Sequence, residues 1–274
     1  MEIESVIREK KEIYSSLMEF IEATENADFE LLIKDFESHV NFKNKEEIKS
    51  ILQLISKISD NHHRLPDFID KLNQIIQNLL KEIRPPITDF EIYKIFKYNK
   101  RVLLLLLEQE FIRPDNIIIS DIMKMKDRNN FPYSRYLYSG IKSFINENES
   151  RAIESEIKQK YDQDLNIFEE KCRIGENDSY ICSLIRQGLT EEFISYVKRN
   201  KISLSSKIQP SIFETNLFLM QKTPTLIEYA SIFGSIEIIK YLQHNYISLT
   251  NSMWLYAVHS NNALLNSLMN SFIF

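Results

Sequence analysis

The side chains that could do chemistry are few, and their spacing suits none of the familiar reactions. His62 and His63 are adjacent, and neighbours on a helix point about 100° apart. No Asp, Glu or Cys stands four residues on from both, so the pair makes a poor metal site. His39, His244 and His259 are isolated. Cys172 and Cys182 are the two cysteines; they supply neither a disulfide framework nor a zinc quartet and read as reduced thiols. Carboxylates pair at Glu46-Glu47, Glu169-Glu170 and Glu191-Glu192, each among polar neighbours. A catalytic carboxylate needs burial to move its pKa, so these read as solvated. No G-x-S-x-G elbow and no H-E-x-x-H motif occurs. Gly140, Gly175, Gly188 and Gly234 are the only 4 glycines in 274 residues. Scattered in this way they cannot form a dinucleotide fingerprint or a phosphate-cradling loop. The expectation is a protein with no catalytic residue, no metal and no cofactor.

Composition narrows the partners. A hydrophobic share of 43% with 27% charged residues is that of a globular protein. The net charge of −5 lacks the basic footprint of a nucleic-acid binder. The short run Lys198-Arg199-Asn200-Lys201 reads as a solvated helix end. Val102 to Leu107, the longest apolar run, falls far short of the ~20 residues a bilayer requires. Glu2, Glu4, Arg8, Glu9, Lys10 and Lys11 make the first residues too charged for a secretory signal. A soluble, cytoplasmic chain with neither a nucleic-acid nor a membrane partner is expected.

The elements that would position any site are helical. Ile48, Ile51, Leu52, Ile55 and Ile58 repeat with helical spacing, as do Phe29, Leu32, Ile33, Phe36 and Val40. Phe68 to Ile83 carries the same pattern, and Pro66 suits its first turn. Ile3, Ile7, Tyr14, Leu17 and Ile21 outline a further helix near the start. Residues 1–84 therefore read as a small helical bundle, with a boundary at Pro85-Pro86, where neither residue can continue a helix. Thr88 with Glu91 spells a capping box. Residues 85–274 then read as paired short helices: 90–97 and 101–109, 116–126, 133–146, one long helix over 151–172, and a pair at 179–187 and 190–200 around Gly188.

Self-similarity is clearest over 179–274. Tyr196, Asn200, Ile202, Ser203 and Leu204 recur 45 residues later as Tyr241, Asn245, Ile247, Ser248 and Leu249. Phe193-Ile194 answers to Ile238-Ile239 in that register. Tyr229-Ala230 recurs 27 residues later as Tyr256-Ala257. The two offsets agree if one inter-repeat loop carries an insertion of 18 residues, at about 205–222. Helical solenoids tolerate such loops because only neighbouring hairpins must pack.

The stretch Thr223 to Leu242 resembles an ankyrin repeat. Ala230, Gly234, Ile238-Ile239 and Tyr241-Leu242 fall at that pattern's small residue, glycine turn, aliphatic pair and closing apolar pair. Thr225, not Thr223, takes the threonine position, and Glu228 stands where the histidine is usual. With Gly175 to Cys182 and Pro210 to Asn216, the stretch is similar to the expanded ankyrin family of protists such as trichomonads. The resemblance implies an all-α fold, an N-terminal helical bundle followed by an ankyrin-type α-solenoid. It also implies non-catalytic protein–protein interaction with a partner it does not identify.

On that reading the partner lies on the concave face and loop tips. Phe213, Phe218 and Met220 of the insertion, with Glu228, Ser231 and Phe233, are the expected contacts. The alternative is a structural protein that self-associates through its N-terminal helices or its apolar end, Phe272-Ile273-Phe274. That end fits a self-docking tail, an oligomer contact or an interrupted array equally well.

Overall fold

The computed structural model describes residues 2–23, 29–62, 68–83, 87–161, 164–249 and 253–257. Among these residues every regular element is a helix, and extended pairing is limited to two isolated bridges, Lys126 with Pro132 and Lys207 with Thr225. The fold is all-α. The chain divides into two compact units, residues 1–127 with 132–173, and 128–131 with 174–274. His63, Pro66, Pro85-Pro86, His259 and Phe272-Ile273-Phe274 lie outside the described residues.

The first unit begins with α1 (Glu2–Glu22), α2 (Phe29–His39), α3 (Lys45–His62) and α4 (Phe68–Ile83). Their apolar stripes meet: Leu17 and Ile21, Leu32 and Phe36, Leu52 and Ile55, and Leu72 and Ile76 are all buried. The stripe of α1 is rotated from the expected one. Ile13 and Phe20 face inward, while Tyr14 is 41% exposed, which leaves its hydroxyl in water.

Two helices follow, α5 (Asp89–Phe96) and α6 (Lys100–Glu108). The capping box forms: the Thr88 hydroxyl accepts from the Glu91 N–H, and the Glu91 carboxylate accepts from the Thr88 N–H. Lys45, the Thr88 N–H and Lys49 hold the Glu91 carboxyl down at about 2. α5 packs on α3, so the first unit runs on past the boundary expected at residue 84. Asn99 caps α6 through the Val102 N–H and gives its amide protons to Ser59 at 2.7 Å and Asp60 at 2.8 Å. Beside it, the Lys100 ammonium meets Asp127 at 2.9 Å and lies 4.7 Å from the centre of the Tyr136 ring. Both charged side chains are almost fully buried, at 2% and 3% exposure.

The remainder of this unit departs from the expected helices at its boundaries. After α7 (Asn116–Lys124), the helix expected over 133–146 is two short pieces, α8 (Tyr133–Tyr136) and α9 (Tyr138–Ile141). Gly140 lets α9 press on α6, where a Cβ would lie 2.6 Å from Leu107 Cβ. The long helix expected over 151–172 is α10 (Glu147–Tyr161) followed by α11 (Leu165–Ile174). Asn146 and Glu149 cap each other's N–H groups, which starts α10 early. The Asp164 carboxylate accepts from the Asn166 N–H, which starts a new helix where the longer one was expected to continue.

The second unit contains α12 (Tyr180–Gln187), α13 (Thr190–Arg199), α14 (Leu217–Lys222), α15 (Leu226–Phe233), α16 (Ile236–His244) and α17 (Met253–Ala257). α12–α13 and α15–α16 are hairpins built to one pattern. Each turns through a left-handed glycine, Gly188 at φ 67° and Gly234 at φ 64°. The next N–H, of Leu189 or Ser235, returns to the carbonyl of Leu184 or Ala230. Each hairpin also closes alike. Ile202 donates to Val197 O and Ile247 to Leu242 O, beside Lys201 and Tyr246 at φ 52° and 64°.

The hairpins are 46 residues apart at their glycines and 45 at their closing turns, because α13 has 10 residues and α16 has 9. The register read from sequence is thereby corrected at its start: Phe193 corresponds to Ile239, each donating its N–H four residues back. α12 packs on α15 and α15 on α17, while α13 packs on α16. Ala230 and Ala257 are fully buried within this stack.

Candidate interaction surface

The insertion decides which part of the second unit is open. Its ends are joined by two backbone bonds, Ile208 N–H to Pro224 O at 2.7 Å and Leu226 N–H to Ser206 O at 3.1 Å. Its body is pinned to the turn at 175–178. The Asn177 amide donates to Gln209 O at 2.9 Å, the Ser211 hydroxyl to Asp178 at 2.9 Å, and the Thr215 hydroxyl to Gly175 O at 2.7 Å. Asn216 caps α14 through the N–H groups of Phe218 and Leu219. Ile208 and Leu219 join the core of the hairpins. The insertion is therefore a closed strap laid over the hairpin ends and against Tyr229, with which Asn177, Ser211, Glu214 and Met220 line a small cleft.

Beneath the strap, Arg186 on α12 joins three parts of the unit. It pairs with Glu176 at 2.8 Å and donates to Asn177 O at 2.8 Å and to the Tyr229 hydroxyl on α15 at 2.9 Å. Burial keeps the Tyr229 phenol protonated. Burial also pushes the Cys182 thiol up to about 11 and the Cys172 thiol higher still. Neither is a thiolate at neutral pH, so neither is a ready nucleophile. Among the described residues no group of three His, Cys, Asp or Glu side chains is placed to hold a metal ion.

The six residues expected to meet a partner are largely occupied by the fold. Phe213 and Met220 are buried at 2% and 5% exposure. Phe218 is half-buried and meets the Tyr256 ring edge-on at 5.0 Å. Ser231 is fully buried, its hydroxyl donating to Ile227 O at 2.8 Å. Glu228 closes a capping box with Thr225 at the start of α15. Phe233 is half-buried, with its ring 4.7 Å from that of Tyr229. A surface role for Phe213, Met220 and Ser231 is corrected accordingly. Apolar side chains in a long loop gain more by covering the core at hand than by waiting in water. The structure instead leaves Tyr180, Leu255 and Tyr246 exposed, at 54%, 56% and 96%. For Tyr246 a sequence signal existed: it aligns with Lys201, at a loop position that needs no apolar side chain.

No protein-family model matches this chain, and no curated protein or solved structure matches it. No described helix is long and apolar enough to cross a membrane.

Proposed function

We propose that the second unit is an ankyrin-like stack and that the chain is a non-catalytic protein–protein interaction module, acting as a scaffold or adaptor. The observation that carries this reading is the shared hairpin plan. Both hairpins use the same glycine turn and the same closing turn, and like helices pack on like helices. A stack of that kind presents one edge residue per repeat at regular spacing, which suits an extended partner better than a small substrate. A cytoplasmic setting accords with two cysteines that remain free thiols.

The strap covers much of the face expected to bind, so partner contact falls on what it leaves open, including Tyr180 and Leu255. The test is affinity capture with the intact chain, followed by mass spectrometry. We expect one protein to be enriched by the natural chain and lost with Leu255→Glu or Tyr180→Glu, with circular dichroism checking the fold of the second, since the Tyr180 ring also meets Tyr196 edge-on at 5.0 Å. Equal recovery with both variants removes these positions, and enrichment of nothing over bare matrix removes the reading.

Self-association is the second reading, and one feature of the first unit favours it. Ile13, Val40, Ile51 and Leu54 floor an open groove between α1, α2 and α3, with His39, Glu47 and Lys57 at its rim. Sedimentation equilibrium of the intact chain separates the two readings, since a single-mass monomer excludes this one.

A further inference from the structure

The closing edge of the stack carries a feature that folding does not require. Lys198, Arg199 and Lys201 are all exposed where α13 ends, with no ion-pair partner among the described residues. The helix dipole accounts for cations within the last turn, but Lys201 lies beyond it. At the equivalent place after α16 stands Tyr246, 96% exposed and at φ 64°. Glycine or asparagine takes that backbone conformation readily and tyrosine does not. α13 and α16 pack side by side, so their closing turns, with Lys201 on one and Tyr246 on the other, belong to neighbouring hairpins. Along the sequence no acidic residue occurs between Glu192 and Glu214, and none follows Glu237. In a chain of net charge −5, this edge holds three cations and one aromatic side chain out into water.

We propose that this edge docks an acidic segment of a partner protein, with Lys198, Arg199 and Lys201 meeting its carboxylates and Tyr246 its apolar side chain. The inference rests on the interaction-module reading and adds the chemistry of the partner. Charge complementarity argues for the acidic segment. Aromatic and arginine side chains supply most of the energy in such contacts, and paired opposite charges steer the encounter. Three cations are too few to track a nucleic-acid backbone, whose binders typically neutralise several phosphates, whereas they match a short run of carboxylates, so the occupant is an acidic peptide segment.

The probe is a fluorescein-labelled polyglutamate peptide with one central tryptophan, followed by anisotropy on the intact chain. We expect binding that weakens with added salt and falls about tenfold in the triple variant K198E/R199E/K201E. Tyr246→Gly separates binding from folding: it relaxes the backbone, so the melting temperature rises by about 2–4 °C while affinity for the peptide falls. Failure of the peptide to bind, or binding by both variants as tight as that of the natural chain, overturns the proposal. Tighter binding of a single-stranded oligonucleotide than of the peptide overturns it too. If the triple variant still captures the natural chain's partner from extract, the edge is wrong and the module reading stands. If no variant captures anything, the module reading fails first.

Discussion

Replacing Lys100 by methionine lowers the stability of the first unit by about 3–5 kcal/mol. The reason is the carboxylate left behind. Asp127 is only 3% exposed and faces the Lys100 ammonium at 2.9 Å. Without that cation the carboxylate keeps its charge inside the fold but loses the ammonium 2.9 Å away, and at 3% exposure little water can take its place. The loss reaches further, because Lys100 also lies against the Tyr136 ring and begins α6 directly after its Asn99 cap. Urea unfolding followed by circular dichroism measures the effect. The double variant K100M/D127L recovers a large part of the loss, because a buried ion pair contributes little over apolar packing of similar volume. A single-variant loss below about 1 kcal/mol, the range of surface pairs, would contradict the burial described here.

Phe193→Ala lowers the stability of the second unit by about 3–5 kcal/mol. Phe193 is fully buried, its ring 6.3 Å from that of Tyr241 in the neighbouring hairpin. Phe193→Ile tests the repeat itself, since isoleucine is the residue at the corresponding position, Ile239. Its cost stays below about 2 kcal/mol, because most of the volume remains and the core closes on the rest. Trp254, half-buried against the same core, gives the fluorescence signal for both titrations. Equal losses for the two variants would contradict the assigned correspondence.

Much of this fold is legible in the order of residues alone. Apolar spacing reveals α2, α3 and α4, because each has one face in a shared core and the other in water. The Thr88–Glu91 and Thr225–Glu228 caps are local interactions, and local interactions survive without knowledge of the tertiary fold. Tyr14 is misplaced because an amphipathic side chain satisfies the helical pattern on either face. The break before Leu165 is hidden because Asp164 resembles any polar residue of a charged helix until its neighbour's N–H is seen to need it.

The candidate surface is harder to read than the fold. The insertion can be counted from two offsets, but where it lies depends on the side chains of Asn177, Asp178 and Gly175's carbonyl, far away in sequence. Residue type points to Phe213 and Met220 as exposed anchors, while the bonds at the strap's base turn them inward. The one-residue difference between α13 and α16 is invisible to an alignment anchored on Tyr196 and Tyr241, because it lies before those positions. For Tyr246 the alignment with Lys201 marks a loop position, but its positive φ is not legible, because the residue there is not glycine.

Cys172 and Cys182 fall one to each unit, both sealed from solvent. Each half of the molecule thus holds its own chemical clock. An alkylating reagent can reach either sulfur only when its surroundings open, and peptide mass distinguishes which of the two was tagged. The order in which the halves come apart can be timed in the natural chain, without adding a dye or changing a residue.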